Sequence, residues 1–533
     1  MFRDSVLARI VKPGQASQYQ GLDVLIPRLN RSNPVVPGRP EWPEWPQPGQ
    51  RLTGALFEAR PSLRRLIVLA DAELLASSND ATLDQKVLLT GLLTHPYVEL
   101  LRFSDDGPPP DAPRRETGPP VALQSAAEGW AELQAPDGSD ARGVVYAASS
   151  GAGYTGTWGD RPEVARRDAS SSVYADLAPD DAAERRERDA LALGVAEVAH
   201  ADLFITERPY LFARRLPVQG VTICKPPEAL ALVGLYLRSQ QAFVIWRGTD
   251  GSGSLNMNEG LYFWVGTREL LPTAWRWFAA CVQHSNPANN RTLLELGESL
   301  LRRVQRALEA RDRFHRAFNL PQNNDTARAV LAELDSILVS LMGAIDVSAR
   351  VAHVVLGIAG NVRNAGWQND QQWLPRVATA EPALGSLFNA GTVHTHALTV
   401  LRLMRNTVHG QMIRSIALQQ PGRMLETAIV LPASASDEAA ILSAMDALGG
   451  RGSWGASTGP YRWLVDPRVF IEQLLPRIVT MLNEVMTNTP VERLSQVNLT
   501  QADCQPPAPN PATGGMDTFG ERSRLSIRWQ LGL

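Results

Sequence analysis

Little in this sequence points to covalent or metal staples. Cysteine occurs only at Cys224, Cys281 and Cys504, with no C-x-x-C pair. That spacing argues against a disulfide framework and a cysteine-based zinc site, and it suits a reducing compartment. Lysine occurs only at Lys12, Lys86 and Lys225, so the basic residues are nearly all arginine, a bias typical of GC-rich genomes. The net charge of −3 gives no overall basic footprint, so any nucleic-acid contact has to be local. Long apolar runs are missing too. The most apolar, Ser336–Ile345, lies between Asp335 and Asp346 and is too short to span a bilayer. The opening MFRDSVLARIVKPGQ lacks an apolar segment followed by a cleavage site, and a cytoplasmic protein without a membrane partner is expected.

What is present divides the 533 residues into parts. Residues 1–60 read as an irregular Pro/Trp-rich arm, with VVPGRPEWPEWPQPGQ at 35–50. Residues 61–235 read as an α/β domain: LRRLIVLA (63–70) fits a strand buried on both faces, Leu83–Leu93 a helix and Tyr97–Phe103 a strand. Within it, 104–173 is rich in Gly, Pro, Ser and Asp and reads as a loop-rich insertion with weak strands near Gly143–Ala147, able to bind a partner or ligand in a sensor-like protein. Its SSGAGYTGTWG lacks the G-K-[ST] ending of a phosphate-binding loop.

Regularity resumes at Pro179, where Asp180 and Asp181 can cap a helix. ADLFIT (201–206) and GVTIC (220–224) then read as strands, the first followed by the turn Glu207-Arg208-Pro209, and PPEALALVGLYLRSQ as a helix. This alternation implies a parallel sheet. Residues 236–261, containing GTDGSGS (248–254), read as a linker. Residues 262–493 read as an all-α helical bundle, with helices predicted over Thr292–Phe318, Asp325–Ile358, Pro382–Leu418 and Asp466–Met486 and a glycine-rich loop over Gly449–Gly459. Residues 494–533 form a tail whose SRLSIRWQL suggests a final strand.

Chemistry on a parallel sheet collects at the carboxyl ends of its strands. Asp71 closes LIVLA and Glu207 closes ADLFIT, with Asp189 on the preceding helix and Asp176 and Asp180 just upstream. Carboxylates gathered at one edge repel unless a hard cation such as Mg²⁺ or Mn²⁺ sits among them, where it could activate a water for phosphodiester hydrolysis. Asp202 begins its strand and ranks below them. The bland alternative has Asp71 capping a helix, Asp189 as a solvated helix charge and Glu207 beginning a turn.

The runs LIVLADAELL and ERDALALGVAEVAHADLFITERPYL (187–211) resemble PIN-like metal-dependent ribonucleases over roughly residues 61–235. The resemblance implies a nuclease site of three or four acids, carried here by Asp71, Asp189 and Glu207. Glu99 and Asp176 both stand open as the second acid, and Glu207 replaces the Asp or Asn usual after the strand.

LRLMRNTVHG (401–410) is the other candidate. On a helix Arg402, Arg405, Asn406 and His409 share one face, beside an apolar stripe of Leu401, Met404, Val408 and Met412. RNA carries its own nucleophile, the 2′-hydroxyl. A histidine can move its proton and arginine can stabilise the phosphorane, so no metal is needed and the product ends in a 2′,3′-cyclic phosphate. A structural role, with the Arg-Asn pair capping carbonyls before Gly410, is the alternative. His394 and His396, two apart, point away from each other and read as non-ligands.

The helical half resembles HEPN domains over about residues 262–490. Their signature is an Arg, usually followed by a polar residue, then a His with four to six residues between. Arg405-Asn406 matches the start, with three residues to His409. Arg402 has six but is followed by Leu403, so the two arginines compete for one role. The resemblance implies a homodimer acting on RNA. Together these features predict a ribonuclease, such as a toxin or antiviral effector, or else a non-enzymatic RNA-binding or regulatory protein built from degenerate nuclease-like domains.

Overall fold

A computed structural model of the chain describes residues 26–27, 65–76, 84–105, 127–134, 142–147, 153–156, 161–213, 220–251, 253–288, 291–320, 323–369, 371–410, 413–418, 426–432, 434–459, 462–506 and 520–533. The Pro/Trp-rich arm, apart from Ile26 and Pro27, lies outside them. The chain divides into two compact units, one built from Ile26–Asn258 with Trp529–Gly532, the other mainly from Glu259–Arg528.

The first unit is built on a seven-stranded sheet. In chain order its elements are β1 (Leu66–Asp71), α1 (Gln85–Leu93), β2 (Val98–Ser104), β3 (Ala127–Gln134), β4 (Arg142–Ala147), β5 (Gly153–Gly156), α2 (Arg161–Arg166), α3 (Pro179–Val198), β6 (Leu203–Ile205), α4 (Pro209–Ala213), β7 (Thr222–Cys224) and α5 (Pro226–Ser239). The strand order is β5-β4-β3-β2-β1-β6-β7. β3, β2, β1, β6 and β7 run parallel and β4 and β5 antiparallel. Every residue of β1 is buried, as a strand covered on both faces requires. Its core partners are Leu101 and Phe103 of β2, Phe204 of β6 and Leu193 and Val195 of α3.

Three expectations need correction here. The 104–173 stretch supplies β3, β4, β5 and α2, so much of it belongs to the sheet rather than to an insertion. Pairing across β2–β3 and β3–β4 overrides its loop-like composition. The predicted linker holds an antiparallel hairpin, β8 (Val244–Arg247) and β9 (Ser254–Asn256), with GTDGSGS spanning its turn. Asp180 and Asp181 do not cap α3. Ala178 is the N-cap without a side-chain bond, and the two acids lie in the first turn after Pro179, where the helix dipole favours them.

The second unit is mostly helical: α6 (Glu259–Leu270), α7 (Ala274–Ala288), α8 (Thr292–Phe318), α9 (Asn324–Val355), α10 (Leu374–Ala380), α11 (Pro382–Ser386), α12 (Val393–Gly410), α13 (Ala435–Ala447) and α14 (Pro467–Asn488). It is not all-α. β10 (Arg414–Leu418), β11 (Glu426–Val430), β12 (Ala456–Thr458) and β13 (Trp463–Val465) form an antiparallel sheet in the order β10-β11-β13-β12. The helix expected over Pro382–Leu418 is therefore two helices and a strand.

α9 starts at Asn323, whose side chain accepts from the Asp325 and Thr326 backbone N–H groups. A buried cluster ties α8 to α14: Glu472 accepts from Arg311 Nε and Nη2, both at 2.8 Å, and lies 2.7 Å from His315 Nε2. The tail ends in a helix, α15 (Glu521–Gln530), not a strand. Among the described residues no helix is long and apolar enough to cross a membrane.

Candidate functional sites

The sheet places four side chains at one edge because three neighbouring parallel strands end together. Asp71 closes β1, Asp105 follows β2, and Thr206 and Arg208 follow β6. The chain leaves β1 toward β2 on one side and returns later as β6 on the other, so this is the switch point at which open parallel sheets form crevices. Asp189 joins them from midway along α3.

Arg208 sits at the centre. Its Nε and Nη2 lie 3.3 and 3.2 Å from Asp71 Oδ1, its Nη2 donates to Asp105 Oδ2 at 3.0 Å, and its Nη1 reaches Asp189 Oδ1 at 3.4 Å. The guanidinium also stands over the Phe103 ring, 5.3 Å from its centroid. Two hydroxyls complete the set: Thr206 donates to Asp71 Oδ2 at 2.6 Å and Tyr174 to Asp189 Oδ2 at 2.9 Å. Tyr174 holds φ at +64°, a left-handed backbone that costs a non-glycine residue about 1–2 kcal/mol.

Three carboxylates against one guanidinium leave a surplus of negative charge in a buried place. Burial raises the pKa of Asp71, opposed by Arg208 and by the Thr206 hydrogen bond. Burial likewise lifts Asp189 to about 6, against the pull of Arg208 and Tyr174. For Arg208 burial works against the charge, but Asp71, Asp105 and Asp189 outweigh it and hold its pKa above the ordinary value. Burial and then the Asp189 anion push the Tyr174 phenol up.

The other acids singled out from the sequence lie elsewhere. Glu207 is exposed and takes no part in the cluster. Asp176 and Asp180 are exposed. Glu99 is buried in β2 but pairs with Ile67, while Asp71 pairs with Phe103. Four residues of strand separate the two positions, about 13 Å. Asp202 is buried at the opposite end of the sheet, where its Oδ2 accepts from the Ile67 backbone N–H at 2.9 Å. Among the described residues no group of three or more His, Cys, Asp or Glu is arranged to hold a metal. Asp71, Asp105 and Asp189 have the right chemistry for Mg²⁺ or Mn²⁺, yet a guanidinium fills the space between them. An ion could not enter without displacing Arg208, so the set as it stands does not fit one.

Sequence reasoning missed Arg208, Asp105, Thr206 and Tyr174. The available signal was Arg208 itself, an arginine in the turn directly after a strand already suspected of carrying an acid.

The second constellation lies on α12. Leu401 and Met404 are buried as its apolar stripe requires, while the Val408 side chain and Met412 fall outside the described residues. Arg402 and Asn406 are exposed and Arg405 is half-buried. Arg405 Nε is buried without a hydrogen-bond partner, and the side chain lies within electrostatic reach of Asp346 on α9. His409 occupies the last turn of α12, and its side chain is outside the description. At the other end of α12, His394 Nε2 pairs with Glu484 Oε2 at 2.9 Å, a structural contact to α14.

Comparison with known proteins gives no match: no family model, no curated protein and no solved structure is significantly similar to this chain.

Proposed function

We propose that the chain is a ribonuclease that cuts RNA without a metal at the carboxyl-terminal end of α12, with Arg402, Arg405, Asn406 and His409 as its working residues. One observation carries the choice between the two constellations. The acids of the α/β unit are already answered by Arg208, whereas Arg405 holds an unpartnered buried donor and Arg402 stands exposed beside it. The PIN-like and HEPN-like resemblances supply the nuclease context. On this reading the α/β unit is a PIN-like domain whose acidic site Arg208 keeps closed.

In the reaction His409 takes the proton of a 2′-hydroxyl. The 2′-oxygen bonds to the adjacent phosphorus, the bond to the 5′-oxygen breaks, and that oxygen takes a proton from solvent water as it leaves, while His409 returns its own proton to solvent. Arginine stabilises the charge on the phosphorane, and Asn406 orients the phosphate. A homodimer would bring two such helix ends together, and a toxin or antiviral effector is the biological setting that the resembled families suggest.

Purified protein incubated with total RNA, with and without EDTA, tests this beside His409→Ala and Asp71→Ala. EDTA-resistant cleavage giving cyclic-phosphate ends, lost in His409→Ala and kept in Asp71→Ala, is the expected result. EDTA-sensitive cleavage lost in Asp71→Ala would move the chemistry to the acidic cluster. The second reading, a non-enzymatic RNA-binding or regulatory protein, is favoured by the same Arg208-filled cluster, because a nuclease-like site held shut is what a degenerate domain would retain. RNA binding with no cleavage under any condition would establish it instead.

A further inference from the structure

Arginines in the helical unit generally meet an acid. Arg311 pairs with Glu472 at 2.8 Å, Arg276 with Glu492 at 2.7 Å and Arg524 with Glu269 at 2.8 Å. Around Asp346 the ratio changes. This half-buried carboxylate of α9 feels Arg350 from its own helix, Arg405 from α12 and Arg303 from α8. Three guanidiniums lie within electrostatic reach of this one carboxylate. Arg350 and Arg405 each bury an Nε with no hydrogen-bond partner.

The backbone makes room for this gathering. Gly343, Asp346 and Arg350 are spaced by three and four, so they share one face of α9. Arg303 crosses that face at Gly343, where an added Cβ would stand 2.1 Å from Arg303 Nη1 and 2.7 Å from its Cζ. Only glycine lets the guanidinium lie so close. Buried donors left unused are unfavourable, and one anion with several oxygens could satisfy more than one guanidinium at once. Arg405 is also one helical turn from His409 on α12, so an anion held here lies beside the reacting end of that helix.

We propose that Arg303, Arg350 and Arg405 form a single phosphate-binding site for the backbone of single-stranded RNA, assembled from α8, α9 and α12. The proposal rests on the ribonuclease reading of α12 and adds to it two residues, Arg303 and Arg350, that lie far from LRLMRNTVHG in sequence. Asp346 is the negative charge facing the three arginines, so it competes with an incoming anion for them.

The test uses the full chain and a labelled 2′-O-methyl RNA oligonucleotide, which lacks the 2′-hydroxyl nucleophile and therefore reports binding alone. Arg303→Gln and Arg350→Gln are each expected to weaken binding about 10-fold. Each should also lower the slope of log affinity against log salt by about 0.7. Asp346→Asn is expected to tighten binding about 3-fold, a gain that misfolding cannot produce. Unchanged slopes in both arginine variants, or weaker binding by Asp346→Asn, would overturn the proposal. Inorganic phosphate tested alone by thermal shift separates the two sources of the anion. Stabilisation by phosphate that matches the oligonucleotide's and disappears in Arg303→Gln would make this a site for the free anion and would equally overturn it. If the binding changes appear but unmodified RNA is never cut, the phosphate site stands and the ribonuclease reading falls.

Discussion

Replacing Arg208 by Met tests the account of the acidic cluster, because the substitution keeps an unbranched apolar stem over Phe103 and removes only the guanidinium. Three carboxylates then lose their common partner. Breaking a buried ion pair from one side costs about 3–5 kcal/mol. Arg208 and Asp105 are 16% and 19% exposed, which places this case at the lower end, about 3 kcal/mol at pH 8. The loss depends on pH with a definite sign. Asp189 titrates near 6 in the folded protein against an ordinary 3.8. The native state therefore binds the extra proton between those values, and this group's contribution to stability grows as pH falls through 6 toward 4 and is lost as pH rises. At pH 5 Asp189 is largely neutral and Arg208 has one less anion to balance, so the cost of the variant should fall to roughly half. Calorimetry would read about 6–12 °C of destabilisation at pH 8 in the affected transition and clearly less at pH 5. Manganese supplies a further arm. With the guanidinium gone the three acids can accept a divalent ion, which at 100-fold over its dissociation constant restores about 2.7 kcal/mol. Equal destabilisation at pH 5 and pH 8, or a manganese shift as large in the wild type as in the variant, would refute the reasoning.

Glu472→Gln should destabilise the helical unit by about 3–5 kcal/mol, because it strands the fully buried Arg311; a change under 1 kcal/mol in its calorimetric transition would contradict this. Despite the cost of burial, Arg311 and His315 hold Glu472 at about 2 against an ordinary 4.5, so its stabilisation is lost as pH falls through that window, opposite in sign to Asp189. Gly91→Ala should destabilise the α/β unit by about 2 kcal/mol or more, since the new Cβ would lie 2.0 Å from the Arg247 carbonyl oxygen, a backbone atom that cannot swing away; an unchanged melting temperature would count against it. Burial pushes the Cys281 thiol up to about 12 and Cys224 further, so an aromatic disulfide reagent at pH 8 should modify neither in the native protein and both after denaturation.

The elements that could be read from the sequence are those whose own periodicity decides their state. LIVLA is apolar throughout and, closed by Asp71, becomes the buried β1, and the spacing of Leu300, Val304, Ala307, Leu308 and Phe314 sets the inner face of α8. SRLSIRWQL misleads because its apolar residues alternate. The residues that α15 buries are Ser523, Ser526, Ile527 and Gln530, a helical period that includes three polar residues. Gln530 is accommodated by donating to the Val244 and Ile245 carbonyls at 2.9 and 3.2 Å, a partnership that hydrophobic patterning does not register. The 104–173 stretch shows the same limit in a sheet: Ala127–Gln134 forms a strand because β2 offers it a parallel edge, and its own composition gives little sign of that.

The acidic site was half legible for a related reason. Strand ends and helix spacing point to Asp71 and Asp189, but counting acids leaves out the cation among them. Arg208 reaches Asp71 because β6 lies against β1, with Val68 beside Leu203 and Ala70 beside Ile205, a pairing between residues more than a hundred positions apart. That pairing sets a quantitative condition on any metal chemistry there. If removing the guanidinium from its acids costs about 3 kcal/mol, an entering ion loses that amount from its binding free energy, and its apparent affinity falls by roughly two orders of magnitude. The same acids in the same places would then act as a metal site only at a correspondingly higher concentration of free ion, or after something else had drawn Arg208 away. A pattern of carboxylates specifies where charge gathers; the nearest arginine decides whether a metal is needed to balance it.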